Sequence, residues 1–426
     1  MAKVIRRQWQ ADLGSGLPRR DRRSCEYEAY VPDQLAGRRF TLDGDVAADV
    51  ADAERAITEL DTRASALANT EALARLLLRA EAVASSRIEG LEVGGRRLLR
   101  AEAARELGDE PRDVTAEEIL GNIAAMEWAI RSTGESKTIT VPDLLQVHSL
   151  LLAGTRLESH AGQIRNEQNW IGGSEYNPCS AAFVPPPPEM VPDLLADLVD
   201  FCNEDSLPAV AQAALAHAQF ETIHPFAGGN GRTGRALIHL VLRRRGLGKR
   251  VAIPVSLVLA TWSREYVEGL TATRYRGEAS SKEAHEGADR WISLFAAACR
   301  RAASDAASFE HATIELEAQW RERLGSVRAK STVDLLLAVL PGAPIITVKG
   351  AAALLGRSFV AVNGAIERLV AAEILRPIKA GRRNRAFEAP EVFQAFTDLE
   401  RRLASSGADT RVSPARRGVP RRGKTR

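Results

Sequence analysis

The chain has 426 residues, of which 45% are apolar and 27% charged, and a formal net charge of +3. That is length enough for roughly two to four domains with real cores, and the balance is ordinary for a soluble globular protein. No run of about 18 or more uncharged apolar residues occurs, so no membrane span is expected, and MAKVIRRQWQADLGSG lacks the apolar core of a secretory signal. Cys25, Cys179, Cys202 and Cys299 show no C-x-x-C spacing. They read as reduced, buried or incidental thiols of a cytoplasmic protein and not as a zinc site. Charge is unevenly spread. From residue 331 onward there are 17 Lys/Arg against 8 Asp/Glu, a surplus of nine, which leaves residues 1–330 at −6.

Residues 1 to about 50 read as irregular, charged at first (RRDRR) and then punctuated by proline and glycine. From Val46 to about Leu107 the spacing is amphipathic and helical. A break at Gly108–Pro111 leads to Thr115 and Glu118, which have the spacing of a helix N-terminal capping box. Thr140-Val141-Pro142-Asp143 marks another helix start. Residues 162–188 (GQIRNEQNWIGGSEYNPCSAAFVPPPP) predict a small hairpin around Gly172-Gly173 followed by a rigid proline connector. Helices resume with MVPDLLADLVDFCNE and LPAVAQAALAHAQFETI and continue to about Leu324. From Thr332 three helical pieces, with a turn at Gly356-Arg357, precede a basic hairpin around Gly381. That pattern is a winged helix-turn-helix. The tail TRVSPARRGVPRRGKTR, with seven basic residues and no acid, is expected to be disordered.

The densest stretch is HPFAGGNGRTGR, residues 224–235. Gly229 to Gly234 matches G-x-G-x-x-G, but a dinucleotide turn needs a preceding strand and an acid about 20 residues on. The preceding segment is helical in composition, and the next acid is Glu265. The phosphate-loop pattern also fails, because Arg235-Ala236 replaces Lys-Ser/Thr. The chemistry still suits phosphate. Gly229, Asn230 and Gly231 let backbone N–H groups converge on an anion, and a helix N-terminus follows. Arg232 and Arg235 lie on one face of its first turn, and His224 at the entrance is suited to taking a proton. A glycine-rich joint with a structural histidine is the plainer alternative.

His224-Pro225-Phe226-x-x-Gly229-Asn230-Gly231-Arg232-x-x-Arg235 resembles the signature of Fic (filamentation induced by cAMP) domain proteins. AVASSRIEG resembles their inhibitory motif, here Ser85, Glu89 and Gly90. NWIGG (Asn169, Trp170, Ile171, Gly172, Gly173) and AAFVPPPP resemble the target-docking flap and its proline segment. The resemblance spans about residues 30–300. It implies a mainly α protein: a Fic helical core with a small β-hairpin flap, plus the C-terminal winged helix-turn-helix domain. The expected domains are an N-terminal helical region with the inhibitory motif (1–115), a catalytic core (116–300), a connecting helix (301–330), the winged helix-turn-helix (331–400) and a basic tail (401–426).

The resemblance also implies a protein adenylyltransferase moving AMP from ATP to a Tyr, Thr or Ser hydroxyl of a target protein. His224 would be the general base. Gly229, Asn230 and Gly231 would cradle the α- and β-phosphates, Arg232 and Arg235 the outer ones, with Phe226 anchoring the loop. Glu89 would pair with Arg235 and keep the γ-phosphate out. One position departs. Such proteins carry Asp or Glu where this chain has Gly228, and that carboxylate holds the Mg2+; here there is no side-chain ligand and no metal residue is assigned. Slow or metal-relaxed adenylylation, another phosphate donor, or a nucleotide-binding relic would follow. The other class of function is a DNA-binding regulator, with Arg357, Ser358 and Asn363 near the recognition helix and Arg382, Arg383 and Arg385 in the wing. A homodimer is compatible with the sequence.

Overall fold

The computed structural model describes residues 1–11, 21–65, 70–94, 97–98, 101–102, 105, 113–134, 137–380 and 384–403. Its N-terminus is not irregular. Strands β1 (Lys3–Trp9) and β2 (Cys25–Val31) pair antiparallel from Lys3↔Val31 to Trp9↔Cys25. Valine, isoleucine, tyrosine and tryptophan supply the strand preference. The interleaved charges that mask it in the sequence become cross-strand partners: Arg6 lies 3.6 Å from both Glu26 and Glu28.

The long helical run that follows is divided. Helix α1 (Gly44–Ser65) and α2 (Thr70–Ile88) precede a turn at Glu89-Gly90. Helix α3 (Val114–Ser132) is capped by Asp113, whose side chain accepts from the Ala116 N–H at 3.3 Å. Thr115 is therefore already inside the helix, and the expected Thr115/Glu118 capping box does not form. The Thr140 start is as expected. In α4 (Val141–Leu152) the Thr140 hydroxyl accepts from the Asp143 N–H, and the Asp143 carboxylate accepts from the Thr140 N–H at 2.8 Å.

Helix α5 (Val191–Cys202) leads to α6 (Ala209–Ile223), the centre of the molecule. Every residue of α6 except Glu221 is buried, which is why its sequence is alanine-rich on all sides. Around it pack α1, α5, α7 (Asn230–Arg244) and α10 (Lys282–Leu324), with α8 (Val255–Thr261) and α9 (Ser263–Ala272) between. Trp291 of α10 seals the contact, its indole N–H donating to the Ala214 carbonyl at 2.7 Å. At 43 residues α10 is about 65 Å long and continues through residue 300, the expected end of the core.

Beyond it come α11 (Thr332–Val339), β3 (Ile345–Thr347), α12 (Val348–Leu355), α13 (Phe359–Ala371), β4 (Arg376–Ala380), β5 (Asn384–Glu388) and α14 (Pro390–Leu403). The three strands form one antiparallel sheet in the order β3-β5-β4. This C-terminal group is fastened on two sides. Trp320 and Arg323 of α10 reach Glu391, and Arg79 of α2 donates to the Gly342 carbonyl at 2.6 Å while pairing with Glu102.

Two features differ further from the sequence reading. The hairpin expected at residues 162–188 is reduced to one antiparallel bridge, Ile171↔Phe183, which closes a loop holding a single turn of 3₁₀ helix at Pro178–Ser180. Four consecutive prolines remove the donors a longer ladder would need. Second, Cys25 and Cys179 form a disulfide, fixing β2 to that turn; only Cys202 and Cys299 are free, both buried. Spacing cannot reveal a pair 154 residues apart, and this pairing removes two of the four thiols on which a cytoplasmic setting was read. Among the described residues no helix is long and apolar enough to cross a membrane. Closing a loop of that length restricts the unfolded chain by at most about 5 kcal/mol. Paired Cys25→Ser and Cys179→Ser substitutions are therefore expected to lower the urea midpoint, and reductant should lower it in the parent chain only. Equal midpoints would show that the bridge does not restrain folding.

Candidate active site

Helix α6 ends at His224, which takes a left-handed backbone (φ 50) while its N–H closes the helix on Phe220. For a non-glycine residue this conformation is strained, and its neighbours hold it there. The Arg165 guanidinium donates to the carbonyls of His224 (2.9 Å), Pro186 (2.6 Å) and Glu167 (2.9 Å), and the Arg165 backbone N–H donates to Pro225. Asn169 adds its amide N–H groups to His224 and Phe226. Burial, reinforced by the Arg165 and Arg274 guanidinium groups, pushes the His224 imidazole down to about 3, so it is neutral near pH 7. Its Nδ1 has no hydrogen-bond partner.

The loop after His224 is pinned from inside. The Asn230 side chain closes a ring with Phe226, accepting from its N–H at 2.9 Å and donating to its carbonyl at 2.8 Å. His148 of α4 stacks on the Phe226 ring at 3.8 Å. Its Nδ1 accepts from the Gly162 N–H, which leaves Nε2 to donate to the Gly228 carbonyl at 2.9 Å. Desolvation pushes His148 down to about 4, consistent with this neutral tautomer. Gly229 then caps α7 with φ 75, where a side chain would also strike Leu151.

The N–H groups of Asn230, Gly231 and Arg232 fall in the first turn of α7, where helix geometry provides no acceptor. Two arginines flank them in opposite states. Arg235 is fully buried and saturated: it donates to the Ser85 hydroxyl (2.8 Å), the Ser85 carbonyl (2.8 Å) and Glu89 Oε1 (2.7 Å). Arg232 is 7% exposed, yet its Nε and Nη1 have no hydrogen-bond partner, and Glu118 stands 3.9 Å away. Gly231 lies against Glu89, since a Cβ there would be 2.0 Å from Glu89 Oε1.

The structure thus brings together His224, Gly229, Asn230, Gly231, Arg232, Arg235, Ser85 and Glu89. Gly90 only ends α2, with φ 81. In the flap segment Asn169 turns inward onto the loop. Trp170 meets Trp9 edge to face and donates to the Ser174 carbonyl, Ile171 is 37% exposed, and Gly172-Gly173 make the turn. The C-terminal candidates lie elsewhere. Arg357 reaches the Lys330 carbonyl, Ser358 caps α13, and Asn363 bonds Glu367. Arg385 is on β5, and Arg382 and Arg383 fall outside the described residues.

Sequence reasoning missed Arg165, His148, Arg274 and Glu118. Arg165 sits five residues before Trp170, inside a stretch already singled out. The others carried no signal, because each acts through contacts more than 40 residues away in sequence. Glu221, the acid nearest upstream of the loop, points under α7: a Cβ on Gly234 would be 2.8 Å from its Oε1, which has no hydrogen-bond partner, and burial pushes the carboxyl up to about 7.

Residues 138–242 match the Fic/DOC family and residues 47–131 its N-terminal region. The chain is 32% identical over 180 residues to "Protein adenylyltransferase fic-1" of Caenorhabditis briggsae, covering 41% of this chain and 33% of that one. It is 36% identical over 132 residues to "Protein adenylyltransferase Fic" of Drosophila willistoni, covering 30% and 24%. It therefore spans about a third or less of the length of these curated relatives. The crystal structure of a Fic family protein from Desulfovibrio desulfuricans G20 shares the fold, with a TM-score of 0.51 at 21% identity, over 82% of this chain and 97% of that one. Over these two stretches, 47–131 and 138–242, the chain is similar to the Fic/DOC family.

Proposed function

We propose that this protein is a Fic-type protein adenylyltransferase, transferring AMP from ATP to a Tyr, Thr or Ser hydroxyl of a target protein and held inactive by Glu89. The observation that carries this reading is Arg232: a buried cation with two nitrogen atoms that make no hydrogen bond, its carboxylate neighbour Glu118 at 3.9 Å, beside the open N–H groups of α7. Such donors suit an anion at hydrogen-bond distance, and a nucleotide phosphate would supply it.

In this reading the target hydroxyl oxygen attacks the α-phosphorus, the bond from that phosphorus to the bridging oxygen of pyrophosphate breaks, and the hydroxyl proton goes to His224. A neutral imidazole is the form that can accept it, and its backbone is fixed by Arg165 and Asn169. Rate comes from positioning and from charge held by the helix N-terminus and arginines. The exposed edge at Ile171 would pair with the target backbone. Glu89 opposes all this by occupying Arg235 and the space in front of Gly231.

The residues present do not fit a Mg2+ ion held in the usual way. Gly228 has no side-chain oxygen, its carbonyl accepts from His148, and Glu221 lies beneath α7. Slow transfer, another phosphate-containing donor or a nucleotide-binding relic remain the forms this activity can take.

The second reading, a nucleotide-responsive DNA-binding regulator, is favoured by one contact: Arg79 ties α2, the helix leading into Glu89, to Gly342 of the C-terminal group. We read that group as a winged helix-turn-helix on its helix-strand-helix-helix-strand-strand order. Exposed Phe359 and Val360 at the start of α13 suit thymine methyl groups, with Arg357 beside them.

Three outcomes are expected. With labelled ATP, Glu89→Gly should raise auto-modification by about tenfold or more and His224→Ala should abolish it; a signal indifferent to His224 would remove the enzyme reading. Gly228→Asp is sterically modest, meeting only the tip of Leu157. In the Glu89→Gly background it should make labelling Mg2+-dependent and about tenfold faster or more. No gain would show that position 228 is not limiting. DNA binding should weaken linearly with log salt and survive deletion of residues 401–426; absence of binding at low salt would remove the regulator reading.

A further inference from the structure

Asp43, immediately before α1, meets His285 and Asp289, which stand four residues apart on one face of α10. None of the three belongs to the nucleotide loop. His285 Nε2 is 3.2 Å from Asp43 Oδ1 and 3.4 Å from Asp289 Oδ2. Hydrogen bonds between a charged imidazole and a carboxylate settle at about 2.7–2.9 Å, and a single N–H shared between two oxygens makes neither bond well. The observed spacings instead equal the edge of a tetrahedron, about 3.3 Å, around an ion with bonds of about 2.0–2.1 Å.

A separate observation points the same way. Asp289 is 7% exposed, yet its Oδ1 has no hydrogen-bond partner, while Oδ2 meets the Asp43 N–H and His285 Nε2, each only at 3.4 Å. A buried carboxylate this poorly supplied lacks a cation. The nearby basic residues of α10 do not supply one: Lys282 pairs with Glu286 and Arg290 with Glu268. Asp43 and His285 are open to solvent, which leaves an entry path and room for a water.

We propose that Asp43, His285 and Asp289 bind one divalent cation of the Zn2+ class. Two carboxylate oxygens and one imidazole nitrogen suit that ion better than Ca2+ or Mg2+, which favour all-oxygen shells. The site is structural. It fastens the start of α1 to α10, the two helices that pack along one side of α6.

The test uses the full chain, stripped with chelator and dialysed, then titrated with Zn2+ alone by calorimetry and thermal melting. About one Zn2+ per chain should bind saturably and raise the melting temperature. Co2+ in its place should give the strong visible bands of a tetrahedral ion. His285→Ala should weaken binding by more than the roughly 10–100-fold that loss of an outer-shell partner costs. Asp43→Asn, at an exposed position, serves if Asp289→Asn does not fold. No saturable binding at about tenfold excess of Zn2+ would overturn the proposal. So would binding that is unchanged in both His285→Ala and Asp43→Asn.

Discussion

A guanidinium with no access to water must be matched where it sits. Arg235 is 1% exposed, and the hydrogen bonds that match it come chiefly from the C-terminal end of α2 and the turn after it, through the Ser85 hydroxyl, the Ser85 carbonyl and the Glu89 carboxylate. Burying the cation without them would cost several kcal/mol. The position of α2 is therefore tied to α7, and a second buried contact extends the tie. Glu81, one turn before Ser85, accepts from the Ser256 N–H and hydroxyl at the start of α8 and lies 3.1 Å from His239, one turn after Arg235. Residues 81, 85 and 89 thus form a polar ladder against 239 and 235. Because the spacing is helical on both sides, the ladder fixes the register of α2 and not merely its proximity.

The same economy governs the loop. Its glycines would leave HPFAGGNG floppy if nothing held it, yet each carbonyl that matters has a donor. Arg165 and Asn169 fix His224, Asn230 fixes Phe226, and His148 fixes Gly228. The side chains of Asn230 and Phe226 are consumed in this framework. What faces outward is backbone N–H and one underused arginine. The loop is preorganised for an anion by contacts that never touch the anion.

How much of this the sequence carried depends on the range of each interaction. The α6–loop–α7 unit, the Thr140 cap and the placing of Arg232 and Arg235 in the first turns of α7 were legible because motif, helix period and capping chemistry are local. The β1/β2 pair was hidden because charged residues that find partners only across the strands look like coil when read singly. The Thr115 cap failed by two residues, since Asp113 offers an equally good acceptor earlier. The Cys25–Cys179 bridge and the clamps from Arg165 and His148 depend on contacts between distant segments, which no spacing rule encodes. The flap shrank to one bridge for a reason that was in plain view: prolines follow it.

Gly231 gives Glu89 a meaning beyond that of an ion-pair partner. Its missing side chain opens a space that the carboxylate oxygen fills, so an incoming phosphate contends with Glu89 for volume as well as for charge. Glu89 is also part of the chain, carried on a helix end whose register is fixed. Its local concentration at Arg235 is thus set by geometry and exceeds the millimolar values that even a short flexible tether gives. A free anion must therefore outbid a tethered group by affinity and not by concentration alone, and bending or unlatching α2 is what would remove that competitor outright.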